Sequence, residues 1–172
     1  MRPELILKTI VARFHGSRRP IRIVGPPGGG KTSLVKQVSA TCKARHIHKH
    51  LPTMLVEDLG ILFPDSDEVH MNYRIPAWYP TGDEPTILCL DDASQAGNDI
   101  QKVIANIQQE RELHGVKLGK NVMIVSTGNR QQDRAGANRI LSHLSDRETT
   151  IELDVSVDDW RKWAIAEGWR RN

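Results

Sequence analysis

Gly25, Gly30, Lys31 and Thr32 stand at the spacing G-x-x-x-x-G-K-[ST] inside the stretch GPPGGGKTS, residues 25 to 33. The short apolar run IRIV precedes it and LVKQV follows, so a strand leads in and a helix leads out. Glycines let the backbone turn until successive N–H groups point at one phosphate. The helix then presents its positive end to the same anion. Lys31 is expected to reach the β- and γ-phosphates and the Thr32 hydroxyl to ligate Mg²⁺. Pro26, Pro27, Gly28, Gly29 and Ser33 complete the expected phosphate-binding loop.

A second group lies in TILCLDD, where an apolar run ends in Asp91 and Asp92. A carboxylate at a strand end beside a phosphate loop is where Mg²⁺ needs its second protein ligand, and Asp91 suits that role. Asp92 takes the position of the base that orients the attacking water, with Gln95 and His50 as alternates. The third group is VSTGNR, residues 125 to 130, whose Asn129 can hold that water against the γ-phosphate. Taken singly, the second and third groups also read as strand-ending turns.

These residues need a scaffold, and the chain supplies one in alternating pieces. Helical spacing of Leu5, Ile6, Ile10, Val11 and Phe14 predicts a helix over 3 to 14, ended by GSRRP. A helix is expected over 31 to 44, a polar strand at HIHKHL, and a short helix or turn at VEDLGILF. TILCL and VMIVST are continuous apolar runs, as in strands buried on both faces of a parallel sheet. Between them come a helix over 97 to 112 and a turn or hairpin at GVKLGKN. A helix over 137 to 145, a strand at TTIELDV and a last helix over 156 to 167 follow. The alternation predicts an α/β fold with a mostly parallel sheet.

Composition narrows the class. The chain has 172 residues, enough for one domain with a sizeable core, and is 38% apolar. It has no apolar run long enough to span a membrane and no signal-peptide pattern at MRPELILKTI, so a cytosolic protein is expected. Cys42 and Cys89 are too few for a disulfide framework. HIHKH, residues 46 to 50, has no carboxylate or thiol beside it in the sequence, and reads as a polar strand rather than a metal site. The net charge of +3 permits a nucleic-acid partner without requiring one.

The order of these pieces resembles the AAA+ ATPases, most closely their MoxR-like branch. The matching segments are IVGPPGGGKTSLVKQV, LCLDDASQA, IQKVIANIQQERE, VMIVSTGNRQQDRAGANRILSHLSDR and TIELDVSVDDWRKWA. The resemblance implies a P-loop NTPase fold, a three-layer αβα sandwich on a five-stranded sheet, with ATP and Mg²⁺ as ligands. It makes Gly25 to Thr32 look like Walker A, Asp91 and Asp92 like Walker B, and Asn129 like the sensor-one residue. Arg147, in LSDRE, looks like an arginine finger that reaches a neighbouring subunit's nucleotide; a surface pair with Glu148 is the alternative. Segments 52 to 85 and 112 to 121 look like the family's inserts facing the ring pore, in a homo-oligomer that is a hexameric ring by resemblance.

Two features depart from the family. Its usual Asp-Glu pair is Asp91-Asp92 here, and the shorter second carboxylate predicts slow hydrolysis. The sequence stops at Asn172, so the helical lid with its second sensor arginine is expected to be missing. Three functions follow: an ATPase ring that remodels a protein client, a nucleic-acid motor or loader, and a nucleotide switch with weak hydrolysis. GSRRPIR and WRKWAIAEGWRRN motivate the second, although Trp160, Trp163 and Ala164 lie at core-facing helical spacing.

Overall fold

The computed structural model describes residues 1 to 67, 69 to 130 and 148 to 166. Five strands form one parallel sheet: β1 (Ile21–Gly25), β2 (Arg45–His50), β5 (Thr86–Asp91), β8 (Val122–Asn129) and β9 (Thr149–Glu152), in the order β2-β5-β8-β1-β9. Helices α1 (Pro3–His15) and α2 (Lys31–Thr41) cover one face and α3 (Asn98–Glu110) the other. Side chains alternate between faces along a strand. Ile87 and Cys89 of β5 therefore join Met123 and Val125 of β8 on the α1/α2 side. Leu88, Leu90 and Ile124 join Ile100, Ile104 and Ile107 on the α3 side. All six residues of β5 are buried, as a central strand requires. The three-layer α/β sandwich on five parallel strands is the expected architecture.

Element ends and small elements differ in places. The second helix stops at Thr41, and the third runs Asn98–Glu110, closed by Arg111 in the left-handed region. VEDLGILF divides into a 3-10 turn, Val56–Leu59, and strand β3 (Ile61–Pro64), which pairs antiparallel with β4 (Met71–Arg74). Every residue of both strands is exposed, so the alternation that signals a half-buried strand is absent. The hairpin expected at 112 to 121 is present as β6 (Glu112–Leu113) and β7 (Val116–Lys117). The helix expected over 137 to 145 lies outside the described residues.

The last helix, α4 (Val157–Ala166), begins with a capping box. The Asp159 amide donates to Ser156 Oγ at 3.2 Å, and the Ser156 amide to Asp159 Oδ2 at 3.0 Å. Arg2 Nη1 donates to both side chains at 2.6 Å, which ties the first residues of the chain to this helix. Ala164 is buried, but Trp160 is 55% exposed, so the expected core face of α4 is narrower than its spacing implies. Among the described residues no helix is long and apolar enough to cross a membrane.

Candidate functional site

The glycine loop joins β1 to α2 at the C-terminal edge of the sheet. Gly28 and Gly30 have φ of +71° and +80°, a region other residues enter only with strain. Gly30 caps α2 in that conformation, and Lys31 opens the helix. A turn of this kind followed by a helix N-terminus is a ready-made anion site.

Two strands, β5 and β8, deliver side chains to this loop because of their parity. Asp91 shares the face of Ile87 and Cys89; Thr127 and Asn129 share the face of Met123 and Val125. Both sets point toward α2. Lys31, only 7% exposed, donates from Nζ to the Gly25 and Pro26 carbonyls at 3.1 and 2.9 Å, and to Asn129 Oδ1 at 3.1 Å. The Thr32 hydroxyl donates to Asp91 Oδ1 at 2.8 Å. That spacing matches the roughly 2.9 Å between adjacent oxygens around an octahedral ion with Mg–O of about 2.0–2.1 Å. Thr32 and Asp91 thus fit a hard, oxygen-seeking cation.

Asp91 is the most densely bonded carboxylate here. Oδ1 also accepts from the Thr127 hydroxyl, and Oδ2 lies 3.1 Å from His48 Nε2 and 3.9 Å from His50 Nδ1. Burial by itself pushes its pKa up, but the hydrogen bonds from Thr127, His48 and Thr32 outweigh it and hold the carboxyl below its ordinary value. Asp91 therefore stays ionised, ready for a cation. Asp92 is half-buried in the left-handed region, φ 54° and ψ 40°, and its amide donates to Thr127 Oγ1 at 3.1 Å. Among the alternates for the base, Gln95 is exposed, while His50 borders Asp91.

Around the loop of Gly25, Pro26, Pro27, Gly28, Gly29, Gly30 and Ser33, Lys31 and Asn129 thus form one hydrogen-bonded group, and Thr32, Asp91, Thr127 and the Asp92 amide another. Arg147 lies outside the described residues. Glu148 carries a bond from the Ser126 hydroxyl, and its pKa is raised by burial despite that bond and the nearby Arg22. Sequence reasoning missed Thr127 and His48. Thr127 carried a signal, since it lies two residues before Asn129 on the same strand face; His48 stood in HIHKH, but nothing local placed that run beside Asp91.

A cavity of about 340 Å³ continues from the loop. Gly28, Gly29, Gly30 and Leu34 line one side, and Val155, Trp160 and Trp163 the other. An apolar, aromatic recess beside a phosphate loop can take the base of a nucleotide.

Residues 20–147 match the family model for the AAA domain, dynein-related subfamily. A search of curated proteins finds no match by sequence. Among solved structures, the crystal structure of a candidate ATPase from Cytophaga hutchinsonii superposes with a TM-score of 0.64 at 16% identity. The match covers 96% of this chain and 50% of that one, so this chain spans about half its length. At that identity the likeness establishes the fold. With residues 20–147 of its 172 matched, the chain belongs to the AAA domain family, dynein-related subfamily.

Proposed function

We propose that the chain is a Mg²⁺-dependent ATPase module of the MoxR-like branch that works as a homo-oligomeric, hexameric ring and remodels a protein partner. The observation that carries the ATPase half is the convergence of Lys31, Asn129, Thr32 and Asp91 at one loop. Lys31 and the loop amides bind the phosphates, Thr32 and Asp91 hold Mg²⁺, and Asn129 positions the water. Asp92 accepts the water's proton as the bond to the γ-phosphate breaks. Bound Mg²⁺ supplies charge neutralisation on the β- and γ-oxygens. Trp160 and Trp163 cover the adenine. The ring and the client rest on family likeness, with Arg147 as the finger offered to the neighbouring subunit and segments 52 to 85 and 112 to 121 facing the pore. ATP turnover by the wild type and by Lys31→Ala tests the enzyme; equal turnover would sink it.

A switch with weak hydrolysis is the second reading, favoured by the short Asp92 side chain. Tight ATP binding with negligible turnover would support it. A nucleic-acid motor draws less support, because Arg22 of the basic run is 5% exposed and lies near Glu148. Mobility-shift titration at two salt concentrations tests it, and no binding at low salt would end it.

A further inference from the structure

β2 pairs with β5 in a register that sets His48 beside Cys89, two residues short of Asp91. Ile47 packs on the α3 side, so His46, His48 and His50 share the opposite face with Cys89 and Asp91. The three rings are engaged differently. Ser39 Oγ donates to the Val35 carbonyl at 3.0 Å, so it accepts from His46 Nδ1 at 2.9 Å. His50 Nδ1 stops 3.9 Å from Asp91 Oδ2, beyond hydrogen-bond reach. His48 Nε2 bonds that oxygen at 3.1 Å. An ionised carboxylate only accepts, so His48 carries its proton on Nε2. Asp91 is therefore held at both oxygens from three elements. Oδ1 accepts from Thr32 of α2 and Thr127 of β8, and Oδ2 from His48 of β2. Donors to Oδ1 alone would leave the carboxylate plane free to turn. The Asp91 side chain is only 12% exposed, so solvent is poorly placed to take over the bond from His48.

We propose that His48 is a positioning residue for the cation: by occupying Asp91 Oδ2 it makes the carboxylate meet the ion through Oδ1 alone, beside Thr32. The inference rests on the reading of Asp91 as a Mg²⁺ ligand. Mg²⁺ demands near-ideal octahedral geometry at about 2.0–2.1 Å, whereas the larger Ca²⁺, at about 2.3–2.6 Å, readily takes both oxygens of one carboxylate. A carboxylate confined to one oxygen therefore favours Mg²⁺ over Ca²⁺. Partners that orient a metal ligand in this way are typically worth about 10–100-fold in metal affinity. His48 is not among the residues lining the aromatic recess, so its effect passes through Asp91 and not through the base.

The test is titration of Mn²⁺, counted by electron paramagnetic resonance, into the protein saturated with ADP. Mg²⁺ and Ca²⁺ affinities follow from their displacement of Mn²⁺. Wild type is compared with His48→Ala, His48→Gln, Asp91→Asn and the double variant His48→Ala/Asp91→Asn. The His48 side chain is 40% exposed on an edge strand, so its variants keep the fold, which far-UV circular dichroism checks. His48→Ala should lower Mg²⁺ affinity by about 10–100-fold and Ca²⁺ affinity by less. His48→Gln, which restores an N–H donor, should recover part of the loss. In the Asp91→Asn background His48→Ala should have no further effect. Wild-type Mg²⁺ affinity in His48→Ala, an equal loss for Mg²⁺ and Ca²⁺, or a full loss in the Asp91→Asn background overturns the positioning role. If Asp91→Asn weakens Mg²⁺ and His48→Ala does not, the metal site stands and only this inference falls. Wild-type Mg²⁺ affinity in Asp91→Asn overturns the reading of Asp91 as a ligand, and the positioning role with it.

Discussion

Asp92 is where sequence and backbone pull in different directions. Its left-handed conformation, φ 54° and ψ 40°, is one that Asp and Asn adopt far more readily than longer side chains. The structure thus offers a physical reason for Asp at the position where the family resemblance leads one to expect Glu. Asp92→Asn keeps the shape, the tolerance for that conformation and the amide bond to Thr127 Oγ1, and removes only proton acceptance. Loss of a general base lowers rates by about 10²–10⁴. At 1.36 kcal/mol per tenfold, the barrier rises by roughly 3–5 kcal/mol. ATP affinity should stay close to wild type, because only a transition-state interaction is lost. Asp92→Glu should raise turnover by restoring reach, while the left-handed backbone costs about 1–2 kcal/mol of folding stability. For a chain of this size each kcal/mol lowers Tm by about 2–4 °C. Steady-state phosphate release, ATP calorimetry and thermal melts separate these effects. Wild-type turnover in Asp92→Asn would refute the assignment and move the base elsewhere.

Other expectations follow from the same geometry. Arg147→Ala and Lys31→Ala should each be inactive, yet mixed together should regain activity, because some interfaces pair an intact loop with an intact finger; mixed rings that stay dead would count against a finger acting in trans. ATP should change the fluorescence of Trp160 and Trp163, and Trp160→Ala should weaken ATP binding; an unaltered dissociation constant would place the base elsewhere. The Asp159 carboxyl is held down to about 2, from 3.8, by the Ser156 hydroxyl and amide and by Arg2. Its stabilising effect is therefore present above about pH 4 and lost as pH falls toward 2, so the Tm difference between wild type and Asp159→Asn should vanish over that window. Gly119→Ala would set a Cβ 2.0 Å from the Gly82 carbonyl oxygen, a backbone atom that cannot swing aside. The overpacking should cost about 1–3 kcal/mol, read from the urea midpoint.

The local pieces were legible because their physics is local. GPPGGGKTS declares its loop through glycines that admit positive φ and a lysine placed at a helix start. TILCL and VMIVST declare buried parallel strands by having no polar face. The face that Asp91, Thr127 and Asn129 share follows from counting by two along a strand. The β3–β4 hairpin was not legible, since four exposed residues on each strand leave no alternation to see. Nor was the exposure of Trp160, because helical spacing names a face without saying how much of it the neighbours cover. Strand order was the largest matter left to tertiary structure. Which strand lies beside β5 depends on how two layers of helix close over both faces of the sheet, a non-local choice made by the whole core. That choice sets β2 against β5, and with it sets His48 and His50 against Asp91, 43 and 41 residues away along the chain.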